Sequence, residues 1–230
     1  MEMKKLDFAE TLKDSIEIGV KNAPSIVVAV ILWLVTIWIP YINIGTTIAI
    51  KLLPVELAKG NVINPLSIFD SKYRRYMGEF LITWGLMLIP IYIATLFLVV
   101  PGIVLSLSWT LSFYFLLDKG KNPIEAIKAS NDATYGSKWT MFFVILVFSI
   151  IMGIVYGIFL FVCEAIDVAF ITFVVMFILL VLAASIAMAI DASFWKQLKD
   201  NVEINRPTTT EGRHRSRPFL SATNYFIEKR

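Results

Sequence analysis

The residues whose types could support catalysis or metal binding are few and far apart. The single histidine, His214, lies in the basic run 213–217, and the single cysteine is Cys163. Serine and threonine are common, but a hydroxyl nucleophile needs a neighbouring base, and no histidine is placed to serve as one. One cysteine with one histidine also excludes an internal disulfide and a Cys/His metal cluster. We therefore predict that the protein is not an enzyme and holds no metal or cofactor.

Two ionisable residues stand out because of their apolar surroundings. Lys51 interrupts an apolar stretch, and Asp191 directly follows another. Ionisable groups within a membrane often mark transport pathways. A lysine near the end of a span can instead extend its ammonium to the lipid headgroups. For both residues we favour an interfacial anchor, and a transport role is the alternative.

The distribution of charge places these residues in a membrane protein. The chain is 57% hydrophobic and 17% charged, whereas soluble domains carry about a quarter charged residues. Half of the chain lies in four stretches without any charge: 22–50, 80–117, 139–163 and 168–190. A spanning helix needs about 20 apolar residues. These features exclude a soluble enzyme and a disordered chain, and the net charge of +3 is too small to indicate nucleic-acid binding.

Helix breakers divide the apolar stretches into hairpins. Residues 80–117 would form a helix of about 57 Å, nearly twice the bilayer core, and Pro101-Gly102 predicts a turn within it. The stretch 139–190 is divided by a short turn that carries Glu164 and Asp167. The first stretch predicts a third hairpin with a short second arm, and whether residues 46–58 span or lie at the interface stays open.

Charge also predicts the orientation. The basic loops 51–79 and 118–138 fall on one side together with both termini, and the acidic turn 164–167 falls on the other. Because basic loops stay in the cytoplasm, we expect six spans in the inner cell membrane with both termini cytoplasmic. Five spans are the alternative. Residues 1–21 lack the apolar core of a signal peptide, so we expect the first apolar stretch to be retained.

The two basic loops share a pattern of turn and cap residues. Each contains Lys-Gly, then Asn-Pro, then Gly: Lys59-Gly60, Asn64-Pro65 and Gly78 in the first, and Lys119-Gly120, Asn122-Pro123 and Gly136 in the second. Asparagine is a strong N-cap, proline favours the first helical position, and glycine favours the position past a helix end. The pattern predicts amphipathic helices over 65–77 and 123–135, with Glu125 completing a capping box.

A third copy of this pattern is predicted at the N-terminus. There, one apolar helical stripe comprises Leu6, Ala9, Leu12, Ile16 and Gly19. The fold class predicted is thus an all-α polytopic membrane protein of three hairpins, each preceded by an amphipathic interfacial helix. Residues 1–205 form one domain with a threefold repeat, 6–58, 65–117 and 123–190. The alternative is that basic interfacial helices are simply common between spans.

Small residues and aromatic residues mark further positions. Gly153 and Gly157 form a GxxxG, and Ser108 and Ser112 share a helix face. Small residues let helices approach closely in lipid, so we predict packing within the bundle, with an interface to a partner or lipid as the alternative. Trp139 and Trp195 are predicted to lie at the membrane boundary.

The last 25 residues differ in composition from the rest. Residues 206–230 are polar and basic, with Arg213, Arg215 and Arg217 clustered. We predict that this tail docks on a partner; disorder or contact with anionic lipid are the alternatives.

Several of these motifs together resemble one family. They are Val100-Pro101-Gly102-Ile103-Val104-Leu105, Phe115-Leu116-Leu117-Asp118-Lys119-Gly120 and Pro123-Ile124-Glu125-Ala126-Ile127-Lys128-Ala129-Ser130. Over about residues 5–195 the chain resembles the membrane domain of the glycerophosphoryl diester phosphodiesterase superfamily, which includes small stand-alone membrane proteins of bacteria and archaea. The resemblance implies a multi-span helical fold. The phosphodiesterase activity of fused relatives belongs to a separate soluble barrel, so no catalytic residue carries over.

We therefore expect a non-enzymatic membrane protein, either a structural or accessory subunit of a membrane assembly or a lipid-associated scaffold. Its partners would be membrane lipids and other membrane subunits, and not nucleic acid. The alternatives are a transporter-like or immunity protein that handles a hydrophobic or peptidic molecule, and a membrane enzyme that acts on lipids.

Overall fold

A computed structural model describes residues 4–166 and 169–204, and every regular element within them is helical. Six helices are long and apolar enough to cross a membrane. In chain order they pair as Phe8–Thr36 with Pro40–Ala58, Ser71–Phe97 with Val99–Leu117, and Lys138–Cys163 with Phe170–Leu198. The predicted all-helical polytopic membrane fold with six candidate spans is confirmed.

The α-helices are α1 (Phe8–Thr36), α2 (Pro40–Ala58), α3 (Met77–Phe97), α4 (Val99–Trp109), α5 (Ser112–Leu117), α6 (Pro123–Ala133), α7 (Lys138–Ile166), α8 (Ala169–Leu198) and α9 (Asn201–Ile204). Two 3₁₀ helices, Pro65–Phe69 and Ser71–Tyr76, precede α3. The fourth span is therefore built from two helices, α4 and α5.

The first amphipathic helix is not a separate element, because α1 continues from it into the first span through Pro24. Its predicted stripe is buried only in part, since Leu6 and Gly19 are buried whereas Ala9 and Ile16 are exposed. The buried face is instead small and polar, and it comprises Thr11, Ser15, Gly19, Asn22, Ala23 and Ile26. Small side chains let α8 approach closely, as a Cβ on Gly19 would lie 3.0 Å from the Cα of Ile186.

Both described ends of the chain and both basic loops lie at one end of the bundle, here called the charged end. The Asn201 side chain accepts a hydrogen bond from Lys4 N (3.0 Å) and donates one to Lys4 O (2.8 Å). Leu6 N donates to Ser137 Oγ (3.1 Å), and Lys59 forms an ion pair with Asp118 (2.9 Å). An even number of crossings between the ends follows, in agreement with six spans.

The second basic loop forms the helix that its caps predict. Asn122 Oδ1 accepts from Glu125 N (2.9 Å), which begins α6 at Pro123. Gly136 follows the helix with a φ of 78°, a left-handed conformation that suits glycine. The reciprocal bond from the Glu125 side chain is not among the hydrogen bonds of the described residues.

The first basic loop departs from the prediction of one helix over residues 65–77. Asn64 caps only the next turn, through Leu66 N (3.1 Å), and Asp70 then caps a second turn through Lys72 N (3.1 Å). Asp70 has an extended backbone, with a φ of −58° and a ψ of 132°. Aspartate favours capping over propagation inside a helix, so it divides the segment into two 3₁₀ helices.

Gly78 was wrongly predicted to end this helix. It lies in the first turn of α3 and does not have a positive φ. The long apolar stretch that begins at Phe80 propagates the helix instead. The segment before it folds back along α2, where the side-chain stem of Arg74 lies against Gly45.

The best-packed part of the core lies near the charged end. Large side chains that are fully buried there include Trp195, Phe194, Leu198, Phe115, Leu116, Leu57 and Ile68. The third and fifth spans contribute little: only 11% of the apolar part of Ser71–Phe97 is buried, and only 6% of that of Lys138–Cys163. These two spans therefore leave most of their surface uncovered by the rest of the described chain.

Candidate functional site

The structure places a carboxylate between helices close to the packed core. Asp191 lies in α8, and its Oδ2 accepts a hydrogen bond of 3.1 Å from the hydroxyl of Tyr114 in α5. Tyr114 is buried, and Asp191 is partly buried. Asp191 therefore contacts the interior of the bundle and is not simply an anchor on its surface.

Aromatic side chains surround this hydrogen bond. Trp195 lies one helical turn after Asp191 and meets the rings of Phe115 and Tyr114 edge-on, at centroid distances of 4.9 and 5.7 Å. Trp195 packs within the bundle, with only 1% of its surface exposed, and its position at the membrane boundary stays a prediction. Trp139, in contrast, is 74% exposed. The aromatic cluster fixes the tyrosine that holds Asp191.

Lys51 provides the opposite charge. Lys51 lies in α2 and Asp191 in α8, and these two helices pack together. The two are not in contact, because neither residue takes part in the ion pairs formed among the described residues. The two ionisable residues that the sequence singles out thus lie on helices that pack together.

The fourth span is broken beside this site. Leu111 lies between α4 and α5, and its N–H donates to Ser130 Oγ (3.1 Å). The same Ser130 hydroxyl donates to the carbonyl of Ser108 (2.8 Å). In a membrane every backbone polar group needs a partner within the protein, and Ser130 supplies one on each side of the break. Helix α6 is therefore part of the bundle and not only a loop on its surface.

Ser112 also lies at the break. It is fully buried, and its hydroxyl has no hydrogen-bond partner among the described residues. The Ser108 hydroxyl bonds to Val104 O within its own helix (2.6 Å). The predicted helix-packing role of these two serines agrees with their burial, although their hydroxyls form no bond between helices.

Polar side chains connect the two basic loops at the charged end. Lys59 Nζ bonds Glu56 (3.0 Å) and Asp118 (2.9 Å), and Asn61 donates to Glu56 (2.8 Å). Partial burial lowers the pKa of Lys59, but the bonds to Asp118 and Glu56 outweigh this effect, and the pKa is raised. Lys59 therefore remains charged throughout the neutral range.

A second polar network closes the same end. Gln197 accepts a hydrogen bond from Asp7 N (3.0 Å) and donates to Thr11 Oγ1 (3.0 Å). Its neighbour one turn later, Asn201, holds Lys4 and also donates to Ala133 O (3.2 Å). These contacts fix the start of the chain on the end of α8.

Other predicted positions form no site in the described chain. Gly153 and Gly157 face outward, and a Cβ on either would meet nothing within 4 Å, so the prediction that they pack within the bundle is wrong. The basic tail with Arg213, Arg215 and Arg217 lies outside the described residues. Within residues 4–166 and 169–204, no group of three His, Cys, Asp or Glu side chains could hold a metal ion.

Sequence reasoning missed Ser130, Gln197 and Asn201. Ser130 carries a weak signal, because it shares the buried face of α6 with Ala126, Ala129 and Ala133. Because alanine side chains are small, a neighbouring helix can pack closely on this face, and the serine hydroxyl can then bond the backbone of that helix. Gln197 and Asn201 lie one turn apart at the end of α8, and nothing in their spacing indicates which segment they bind.

Searches of protein-family models, curated proteins and solved structures find no match to this chain.

Proposed function

We propose that this protein is a non-enzymatic, lipid-associated scaffold or accessory subunit of a membrane assembly. The observation that carries the proposal is the low burial of the third and fifth spans beside a closely packed charged end. Helices that add little to their own core have their surfaces free for lipid or for other membrane helices. No described residue set resembles a catalytic centre, which also favours a structural role.

The proposal includes a location and an orientation. We propose the inner membrane of a prokaryotic cell, with both termini and both basic loops in the cytoplasm. The support is the positive-inside rule together with the clustering of Lys59, Asp118, Lys4 and Asn201 at one end of the bundle. The resemblance to the membrane domain of the phosphodiesterase superfamily belongs to the same hypothesis, since it too implies a membrane role without catalysis.

The test is purification in a gentle detergent, followed by mass spectrometry of the proteins and lipids that remain bound. We expect a defined lipid or a partner subunit in stoichiometric amount. The double variant Gly153→Leu, Gly157→Leu adds bulk to an exposed face of α7 and should leave the melting temperature unchanged. The matched control is Ile154→Leu with Ile158→Leu on the same exposed helix. A chain that purifies alone and carries neither lipid nor partner would contradict the proposal.

A second candidate function is transport of a hydrophobic or peptidic molecule. The observation that favours it is the broken fourth span, because transporter binding sites form at discontinuous helices, and Asp191 and Ser112 lie near this break. Reconstituted vesicles that show substrate flux, lost on Asp191→Asn, would favour this function over the scaffold.

A further inference from the structure

The tip of the second hairpin packs mainly against itself. It comprises the end of α3 and most of α4, which are joined at Leu98. From Leu88 to Ser106 the only buried residue is Gly102. A Cβ on Gly102 would lie 3.0 Å from the Cα of Thr95 in the other arm. The two arms therefore hold each other closely, whereas the rest of the described chain covers little of them.

Both arms of this hairpin are interrupted at the same level. Pro90 lies inside α3 and has no N–H, so the helical hydrogen bond to the Leu86 carbonyl is missing. In the other arm the helix breaks at Thr110 and Leu111, between α4 and α5. Leu86 lies twelve residues before Leu98, and Thr110 lies twelve residues after it. In antiparallel helices both interruptions are then about 18 Å from the turn.

Between the interruptions and the charged end, the same hairpin is fixed in the bundle. Phe80, Thr83 and Met87 of α3 are buried, and so are five of the six residues of α5. In both arms the change from buried to exposed residues thus occurs within about one helical turn of the interruption. Helices bend where their backbone hydrogen bonds are interrupted, so this level is suited to act as a hinge.

Helix α6 holds the break in α4. Ser130 Oγ accepts a hydrogen bond from Leu111 N (3.1 Å) and donates one to Ser108 O (2.8 Å). Thr134 Oγ1 also lies 3.4 Å from this carbonyl oxygen. Helix α6 packs against α3, α4 and α5, so it contacts the hairpin on both sides of the interruption. A shift of α6 at the charged end therefore reaches the break through Ser130.

We propose that residues 91–109, here called the tip segment, swing as one body about a hinge at Pro90 and Thr110–Leu111, with Ser130 as the latch. While Ser130 bonds both backbone groups, the tip segment keeps one position, and withdrawal of α6 releases it. A bend of about 20° moves the turn by about 6 Å, because the turn lies about 18 Å from the hinge. Helix α6 thus controls the shape of the end of the bundle opposite the charged end. The swing requires neither lipid nor partner, so it does not depend on the proposed scaffold function.

The experiment measures distances between pairs of spin labels by pulsed electron paramagnetic resonance on the full chain in detergent. With Cys163→Ala as the background, Trp38→Cys and Phe97→Cys place labels at exposed residues of the first two hairpin turns. The reference pair is Trp38→Cys with Leu81→Cys, an exposed position of α3 on the fixed side of the hinge. Ser130→Ala should widen the distance distribution of the first pair by about 6 Å and leave that of the reference pair unchanged.

The first turn is a suitable fixed point for both pairs. The hydroxyls of Thr36 and Thr46 share a hydrogen bond of 2.9 Å that joins the two arms of the first hairpin. Helix α1 of this hairpin also packs along α8.

Further variants separate the hinge from general loosening. Pro90→Ala supplies the missing N–H in α3, so it should suppress the widening caused by Ser130→Ala. Pro101→Ala is the matched control, because Pro101 lies in the first turn of α4, where a missing N–H removes no helical bond. It should leave that widening unchanged. Ser106→Ala removes a hydroxyl that bonds within its own helix, so it should cause no widening.

Three outcomes would overturn the inference. Unchanged distances in Ser130→Ala would show that the tip segment is fixed, and equal widening in the reference pair would show that the whole bundle loosens. A double variant of Ser130→Ala with Pro90→Ala that stays as broad as Ser130→Ala would exclude the hinge at Pro90. If Ser130→Ala does not fold, Thr134→Val, which removes the longer contact to Ser108 O, takes its place, and the same outcomes decide.

Discussion

Lys59 and Asp118 form an ion pair of 2.9 Å that joins the equivalent turns of two hairpins. Lys59 precedes Gly60, which has a φ of 79°, and Asp118 lies two residues before Gly120, which has a φ of 61°. Each glycine follows the second arm of a hairpin and turns the chain into a basic loop. The shared Lys-Gly turn supports a repeat of these two hairpins, although the helices that follow the turns differ.

The ion pair should contribute little to stability. Since the Lys59 side chain is 44% exposed, Lys59→Met should cost less than about 1 kcal/mol. The folded-state pKa of Lys59 lies above its unfolded value, so its stabilisation is present below about pH 10 and lost as the pH rises through the folded-state pKa. Melting temperatures of both proteins should differ by a constant amount between about pH 6 and 9 and converge above that range. If the two melting temperatures converged near the acidic end of that range, the stabilisation could not be assigned to the charge of Lys59.

Asn122 and Asn64 should respond differently to alanine substitution. Asn122→Ala removes the bond to Glu125 N at the start of an eleven-residue helix, and it should cost about 1 kcal/mol. Asn64→Ala removes a bond within a single 3₁₀ turn and should cost less. Denaturation of both variants in the same detergent measures the difference. Equal losses would indicate that the first loop is also an α-helix.

The contact between α1 and α8 should be intolerant of added volume. Gly19→Ala places a Cβ 3.0 Å from the backbone of Ile186, and we expect a loss of about 1–3 kcal/mol. Gly153→Ala is the matched control, because it adds the same methyl group where nothing lies within 4 Å; it should be neutral or slightly stabilising. If both variants melt alike, α1 and α8 are not in close contact at Gly19.

Ser130 should hold the broken span together. Ser130→Ala leaves Leu111 N–H and Ser108 C=O without this partner, which should cost about 1–3 kcal/mol. Ser106→Ala is the control, since that hydroxyl bonds only within its own helix, to Gly102 O (2.8 Å) and Ile103 O (3.1 Å). Hydrogen exchange should accelerate at the Leu111 amide in Ser130→Ala alone. An amide that stays protected would show that another group seals the break.

Cysteine labelling tests the proposed orientation. Cys163 is only 3% exposed, so it should react slowly, and Cys163→Ala provides a silent background. In that background Ser71→Cys, at an exposed residue of the first basic loop, should not react with a membrane-impermeant maleimide in intact cells. It should react once the cells are permeabilised. Ile39→Cys, in the exposed turn between the first two spans, should label from outside. The reverse pattern would invert the orientation. Ser130 is unsuitable as a reporter because it is fully buried.

Local spacing predicted the parts of the fold that local forces decide. The hairpins at 80–117 and 139–190 follow from the lengths of these apolar stretches, because the bilayer thickness fixes the length of a helix that crosses it. The start of α6 follows from Asn122 and Pro123, since an N-cap bonds a backbone group only a few residues away. The position of Gly136 just after α6 has an equally local reason, since glycine readily adopts the positive φ found there.

The tertiary structure alone decided which face of each helix is buried. In lipid a span is apolar on every side, so hydrophobic periodicity does not mark the packed face as it does in water. The burial of Trp195 was therefore not predicted, and Gly153 was assigned to a packed face although it is exposed. The hydrogen bond from Tyr114 to Asp191 and the bond between Ser130 and the broken span join residues far apart in the chain. Such pairings depend on how helices pack in three dimensions, which the spacing of residues within each helix does not specify.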